Sequence, residues 1–224
     1  MDAHLATLVN GGQNAVGSRW GAGDIMYADI NGDGKISEGS RTTSNPGDLQ
    51  IIGNSAPRYT FGVDLDASWK GFDFRMFWQG VAKRDYFPTG LTFWGATGAG
   101  QFWSTAFTEH LDYFREEGNA LGANLDSYYP RPLFGDKNQR AQTKYLQNAA
   151  YARLKNLQLG YTLPDKFTKA LRISKLRFFV SGENLVTITK LAKSLDPESV
   201  GIGRQGGTVY PLMKVISGGL SLNF

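Results

Sequence analysis

From Tyr59 onward the chain alternates with a period of two. Tyr59, Phe61, Val63, Leu65, Ala67 and Trp69 fall on one side, and Thr60, Gly62, Asp64, Asp66, Ser68 and Lys70 on the other. Successive side chains of an extended backbone point to opposite faces, so this spacing predicts a strand with one apolar and one polar face. After Lys70-Gly71 the alternation resumes. Phe72, Phe74, Met76 and Trp78 share a face opposite Asp73, Arg75 and Gln79, with Phe77 out of step. Two such runs meeting at a two-residue turn read as a β-hairpin.

The same pattern returns later. Leu157, Leu159, Tyr161 and Leu163 alternate with Gln158, Gly160 and Thr162 and stop at Pro164. Asp165 to Ile173 reads as a short helical turn. Leu176, Phe178 and Val180 then oppose Arg177 and Ser181 in a strand that runs on through SGENLVTIT, and Leu220, Leu222 and Phe224 oppose Ser221 and Asn223 at the end of the chain. The expectation is an all-β fold of at least five antiparallel strands, joined alternately by short and long connections, with no internal repeat.

Other stretches lack a period. Residues 1–22 are polar and glycine-rich, and Asn45-Pro46-Gly47 is a turn signal. Lys83 to Asn148 loses the alternation, and only Phe102 to Gly118 within it looks helical. Connections of this length are uncommon in compact domains unless they are functional. The pattern therefore divides the chain into an irregular segment, 1–57, and a strand-and-loop region, 58–224.

Alternation alone fits a soluble sandwich as well as a membrane barrel. Three features favour the barrel: strands of about ten residues where soluble strands centre on about five or six, aromatics at strand ends, and short turns alternating with long loops. Composition agrees with a β-rich fold, with 13% aromatic residues and 28 glycines among 224 residues. There is no cysteine, so neither disulfides nor a cysteine metal site holds the chain together. A net charge of +4 without a dense Lys/Arg run argues against nucleic acid. No run of about 18 apolar residues exists, which removes a transmembrane helix but not barrel strands. The N-terminal DAHLATLVNGG lacks a basic region and is too weakly apolar for a signal peptide, so an exported protein is expected to begin upstream.

One stretch carries candidate metal chemistry. Asp29, Asn31, Asp33 and Gly34 stand in the D-x-N-x-D-G order of a calcium loop. Oxygen donors at alternate positions converge on a hard cation, and the glycine turns the backbone so that the next carbonyl, Lys35, joins them. The twelfth position, which a bidentate acid normally fills, is Ser40, leaving Glu38, Asp24, Asp48 or water to complete the shell. A metal-free Asx-rich turn accounts for the same residues. Phe93, Trp94, Trp103, Tyr128 and Tyr129 are loop aromatics suited to sugar stacking or to ordinary packing. Asp64, Asp66 and Asp73 form a conceivable catalytic carboxylate group, but polar lining of a barrel interior explains them more simply. His4 and His110 are isolated, and segments such as Gly201-Ile202-Gly203 do not sit between a strand and a helix as a phosphate loop must.

Taken in order, the blocks GDIMYADINGDGKIS, IIGNSAPRYTFGVDLDASWKGFDFRMFWQGV, YARLKNLQLGYTLP, LRFFVSGENLVTIT and a terminal aromatic strand are similar to the C-terminal end of SusC/RagA-family TonB-dependent transporters. The resemblance implies strands of a large outer-membrane β-barrel with an internal plug. It further implies a SusD-like surface lipoprotein partner, energy from the TonB complex, and import of oligosaccharides or peptides rather than catalysis. Signal peptide, TonB box, plug and most strands would precede Met1. The implied topology turns Lys70-Gly71 and Pro164 to Ser174 toward the periplasm. It turns Lys83 to Asn148, Lys190 to Tyr210 and the calcium-type loop, with its possible structural Ca2+, toward the exterior. Gly219, Leu220, Leu222 and Phe224 match the terminal signal read by the barrel-assembly machinery. A soluble, calcium-braced, carbohydrate-binding β-sandwich is the alternative, and a secreted glycan-degrading domain a third.

Overall fold

The structure, a computed structural model, describes residues 2–8, 12–95, 106–169, 172–200 and 209–224. It divides into two compact units, one of Met1–Gly53 with Phe87–Leu146, the other of Asn54–Tyr86 with Gln147–Phe224. The unpatterned long connection is thus mostly part of the first unit, and the alternating runs make up the second.

In the second unit, β1 (Arg58–Trp69), β2 (Phe72–Lys83), β5 (Tyr151–Thr162), β6 (Lys175–Thr189) and β7 (Val215–Asn223) form one antiparallel sheet in that order. The short β3 (Asp85–Tyr86) and β4 (Gln147–Asn148) pair separately. Trp69 pairs with Phe72, so Lys70-Gly71 is a two-residue turn, and both residues have positive φ, 47° and 89°. That is the geometry whose twist suits a β-hairpin. A Cβ on Gly71 would meet the Thr162 carbonyl at 2.7 Å, so the close approach as well as the φ calls for glycine.

The strands β5 and β7 are longer than their alternation announces, whereas β6 runs through SGENLVTIT as expected. β5 begins at Tyr151, six residues before the clean pattern, because a register shift between Leu154 and Asn156 interrupts its period. Leu154 pairs with Trp78 and Leu157 with Met76, so the extra residue returns both leucines to the same face. β6 carries its own irregularity: Glu183 pairs with Asn156 and Val186 with Leu154, and Asn184 between them has φ 52°. Phe77 is not a break in β2. It lies between Asp64 and Asn156 on the polar face.

The apolar positions join into one surface across the sheet. One row runs Trp69, Phe72, Tyr161, Phe178 and Leu220, and the next Ala67, Phe74, Leu159, Val180 and Gly218. This face is not covered. Every residue of β1 is exposed, and Leu65, Leu159, Val180 and Leu220 are each about half exposed. Buried apolar residues in this unit gather instead at the end away from the tight turn, among them Val81, Tyr151, Leu191, Leu195 and Val200.

The first unit has little regular structure. Its helices are single turns, Asp2–Leu5 and Leu91–Trp94, with a 3-10 turn at Thr108–Leu111. The helix expected over Phe102 to Gly118 does not form in its described part. Phe114 N–H donates to the Tyr129 carbonyl, Tyr129 N–H to Asp112, and Arg115 and Asn124 exchange a pair of bonds. The Arg115 side chain also closes onto the Leu111 and Gly122 carbonyls. Backbone donors that a helix would spend on carbonyls four residues back serve a neighbouring segment instead, so tertiary pairing overrides local preference.

Candidate functional site

The second unit offers two chemically opposite surfaces rather than a pocket. On the polar face, Arg75 reaches Asp64 at 3.1 Å and Asp66 at 3.7 Å from the neighbouring strand. Arg177 grips Asp73 with two parallel bonds, Nε to Oδ1 at 2.9 Å and Nη2 to Oδ2 at 2.5 Å, and lies 5.1 Å from the centre of the Phe179 ring. The first is a pair between neighbouring strands, of the kind that stabilises a sheet face, and the second reaches from β2 to β6 across Gly160 of the intervening β5, where a Cβ would collide with it. Each of the three carboxylates considered for catalysis is therefore held by an arginine, which suits a lining and not an acid–base pair. Period-two spacing placed Asp64, Asp66, Asp73, Arg75 and Arg177 on one face. It could not say which charges meet, because that depends on register.

The apolar face ends in aromatics on the side of the Lys70-Gly71 turn. Trp69, Phe72, Tyr161 and Phe178 lie in one row, with the Phe72 and Tyr161 rings 4.5 Å apart. Above them stand aliphatic, methionine, phenylalanine and tryptophan side chains and glycine, with Tyr59 near the opposite margin. An uncovered apolar sheet with an aromatic margin can meet a lipid phase, since tryptophan and tyrosine favour the boundary between hydrocarbon and water. Among the described residues no helix is long and apolar enough to cross a membrane.

In the first unit, the calcium-type loop is laced by its own acids. Asp29 accepts the Gly32 and Gly34 N–H groups, each at 2.7 Å, and Asp33 accepts Lys35 N–H at 3.0 Å. The Asn31 carboxamide oxygen accepts Asp33 N–H. Of the three acids offered as substitutes for the absent twelfth-position carboxylate, Asp48 joins the loop. Its oxygens accept Ile30 and Ser37 N–H, both at 2.7 Å. Glu38 instead pairs with Arg41 and Arg140; the Arg41 hydrogen bond above all, with the charge of both guanidinium groups, holds its carboxyl below the usual range against the opposing effect of burial. Asp24 is committed elsewhere too. Among the described residues no three His, Asp or Glu side chains gather closely enough to form a metal cluster by themselves. The donor set of two or three carboxylates, a carboxamide and a carbonyl is of the hard-oxygen type that calcium takes, and an oxygen accepting one N–H keeps a second lone pair.

Asp24 organises much of this unit. Its side chain is fully buried and receives Arg131 Nε at 2.8 Å, Arg131 Nη2 at 2.6 Å, Lys137 Nζ at 2.8 Å and Asn138 Nδ2 at 2.9 Å. Burial alone would raise its carboxyl, but these donors and the Gly21 N–H outweigh it and hold the group at about 2. In the same unit, Phe93, Trp94, Tyr129 and Tyr145 form an aromatic cluster, edge to face except for the near-parallel Tyr129 and Tyr145 rings, with Trp94 and Tyr145 4.8 Å apart, and burial pushes the Tyr129 and Tyr145 phenols up. Phe93, Trp94 and Tyr129 thus serve packing. Phe93 is fully buried, Trp94 and Tyr129 border a cavity of about 350 Å³ with little area exposed, Tyr128 is partly exposed, and Trp103 lies outside the described residues. His110 lies beside them with both ring nitrogens bonded, to Phe107 N–H and the Phe93 carbonyl, and His4 bonds Gln13. Gly201-Ile202-Gly203 also lies outside the described residues.

No protein-family model matches the chain. It is 30% identical over 214 residues to TonB-dependent receptor P3 of Formosa agariphila, a match covering 90% of this chain and 19% of that protein. Among solved structures it is similar to the RagAB peptide transporter, with a TM-score of 0.58 and 29% identity over 79% of this chain and 18% of the other. The RagAB peptide importer in its open-open state gives 0.56 and 29%, over 78% of this chain and 18% of that one. The chain therefore spans about a fifth of the length of the relatives it matches.

Proposed function

We propose that the chain is a piece of a TonB-dependent receptor of SusC/RagA type, a transporter rather than an enzyme, and that its sheet is a stretch of the wall of an outer-membrane β-barrel importer; the likeness to a TonB-dependent receptor and to the RagAB transporter supports this reading. The apolar face meets lipid and the polar face lines the interior. The observation that carries this is the pairing of a continuous uncovered apolar face with an opposite face laced by Arg75–Asp64 and Arg177–Asp73. A soluble sandwich would bury that first face. Length agrees: twelve residues at about 3.3 Å each span roughly 40 Å. At a tilt of about 40° that leaves roughly 30 Å, enough for an apolar band of about 25 Å.

Brominated acyl chains test this. Trp69 and Trp78 stand on the apolar face, so their fluorescence should be quenched in brominated-lipid vesicles, and Trp69→Phe/Trp78→Phe should lose most of that quenching. Quenching that is absent, or indifferent to both substitutions, contradicts the reading.

The imported cargo is an oligomer, an oligosaccharide or a peptide, and the likeness to a peptide transporter favours the peptide. A SusD-like surface lipoprotein and the TonB complex act with the whole transporter. The tight turn at Lys70-Gly71 and the connection 163–174 face the periplasm. The calcium-type loop and the longer connections face outward, a placement supported by short and long connections leaving opposite ends of the sheet. Asp29, Asn31, Asp33 and the Lys35 carbonyl, with Asp48 beside them, would hold Ca2+ in a structural role, bracing residues 29–37. A calcium-dependent rise in melting temperature is its test.

A further inference from the structure

Residues 190–200 follow β6, and in their turns they cross the polar face at the end of the sheet away from Lys70-Gly71. Their anchor is Arg153 on β5, which stands in a row with Gln79 and Thr187. Its side chain is only 4% exposed. It donates Nε to Thr187 Oγ1 at 2.8 Å, Nη2 to Asp196 Oδ2 at 2.9 Å and Nη1 to Glu198 Oε1 at 2.8 Å. Lys155, at the bulge of the same strand, adds a second cation to Glu198 at 3.1 Å. Asp196 in turn accepts N–H groups from Glu198 and Leu212, drawing the two ends of the connection together. Arg84 ties down the far end through the Val200 carbonyl at 2.9 Å. Leu191, Leu195 and Val200 are buried beneath.

Such an arrangement is a fastener set beside a small apolar cluster. Two arginines and a lysine hold a segment whose acids lie within three residues, and its Leu191, Leu195 and Val200 are buried with it. A buried ion pair is strongly dependent on both partners, because removing one leaves an uncompensated charge.

We infer that residues 191–200 form a strap fastened by Arg153 over the polar face, and that passage along this face requires the fastening to open. The functional half of this statement rests on the reading of the polar face as the barrel interior. The fastening itself does not. On that reading the strap narrows the outward end of the lumen, and Arg153, Asp196 and Glu198 are positioning residues for the gate.

These 224 residues hold no cysteine and so add no background to spin labels placed on a pair of introduced cysteines; any cysteine elsewhere in the transporter is first replaced by serine. Labels at Lys193 and Ser217, both exposed, report the distance from strap to sheet, and a pair at Ser68 and Ser217 reports the sheet itself. In the assembled, membrane-inserted transporter the strap pair should give one narrow distance. Asp196→Asn/Glu198→Gln and, independently, Arg153→Gln should shift the tied-to-untied ratio by on the order of a hundredfold, giving a longer, broader population, while the sheet pair stays fixed. An unchanged strap distance in either variant overturns the proposal. So does a sheet pair that moves with it, since the ion pairs would then hold the sheet and not a strap. Absence of quenching by brominated lipid would remove the transport reading and leave the strap to be judged on these distances.

Discussion

At the scale of single residues, Asp24 is the most consequential side chain in the first unit. A carboxylate with no exposure that satisfies two cations and an amide is worth far more than a surface pair. Asp24→Asn should cost about 3–5 kcal/mol of that unit's stability by leaving Arg131 and Lys137 unmatched. The pH dependence follows from the direction of the shift. The folded carboxyl lies at about 2 against an ordinary 3.8, so its contribution is complete above 3.8 and is lost as pH falls toward 2. A shift of that size corresponds to roughly 2–3 kcal/mol. Trp20, whose ring lies under Lys137, is a local reporter. Its fluorescence should show an acid transition in this window that the Asn variant lacks, and an identical acid midpoint in both proteins would contradict the assignment. None of this was legible in the sequence. Asp24 and Arg131 are 107 positions apart, and only the fold tells a buried acid from a loop acid.

At the scale of elements, the strands were legible where their period was clean and obscure where a bulge reset it. Leu157 to Leu163 announced β5, but Tyr151 to Leu154 sit out of phase with them by one residue and were hidden by the irregularity at Lys155. The hairpin at Lys70-Gly71 was readable because glycine directly precedes the second apolar run. The false helix over 102–118 had the opposite cause, a local pattern whose backbone donors are claimed by residues 124 and 129. The loop 29–37 was legible as a motif, and the geometry adds which acid stands beside it. If it holds calcium, adding Ca2+ at about a hundred times its dissociation constant should stabilise the first unit by about 2.7 kcal/mol. A chelator should reverse the rise in melting temperature, and Asp29→Asn/Asp33→Asn should abolish it. An unchanged melting temperature with and without Ca2+ would return the loop to an Asx-bonded turn.

At the scale of the whole molecule, one physical fact ties the strands together: a sheet of this breadth cannot leave a continuous apolar face in water without inviting association. In the proposed barrel wall, lipid on that face resolves the conflict, and an interior lined by arginine–carboxylate pairs accounts for the other. The alternation made both faces visible in the sequence, but their continuity depended on registers and bulges that no single strand discloses. Phe77 separates the account from a simple count of hydrophobic residues, because it is aromatic yet stands on the polar face. The most direct test is therefore to place a spin label in turn at each position from 72 to 79 in the membrane-inserted protein. Collision with oxygen, which concentrates in lipid, is then compared with collision with a water-soluble nickel chelate. Positions 72, 74, 76 and 78 should favour oxygen, and 73, 75, 77 and 79 the chelate, with position 77 on the aqueous side despite its native phenylalanine. Chelate access to both sets, or oxygen preference at 77, would contradict a wall with lipid on one face and a lumen on the other.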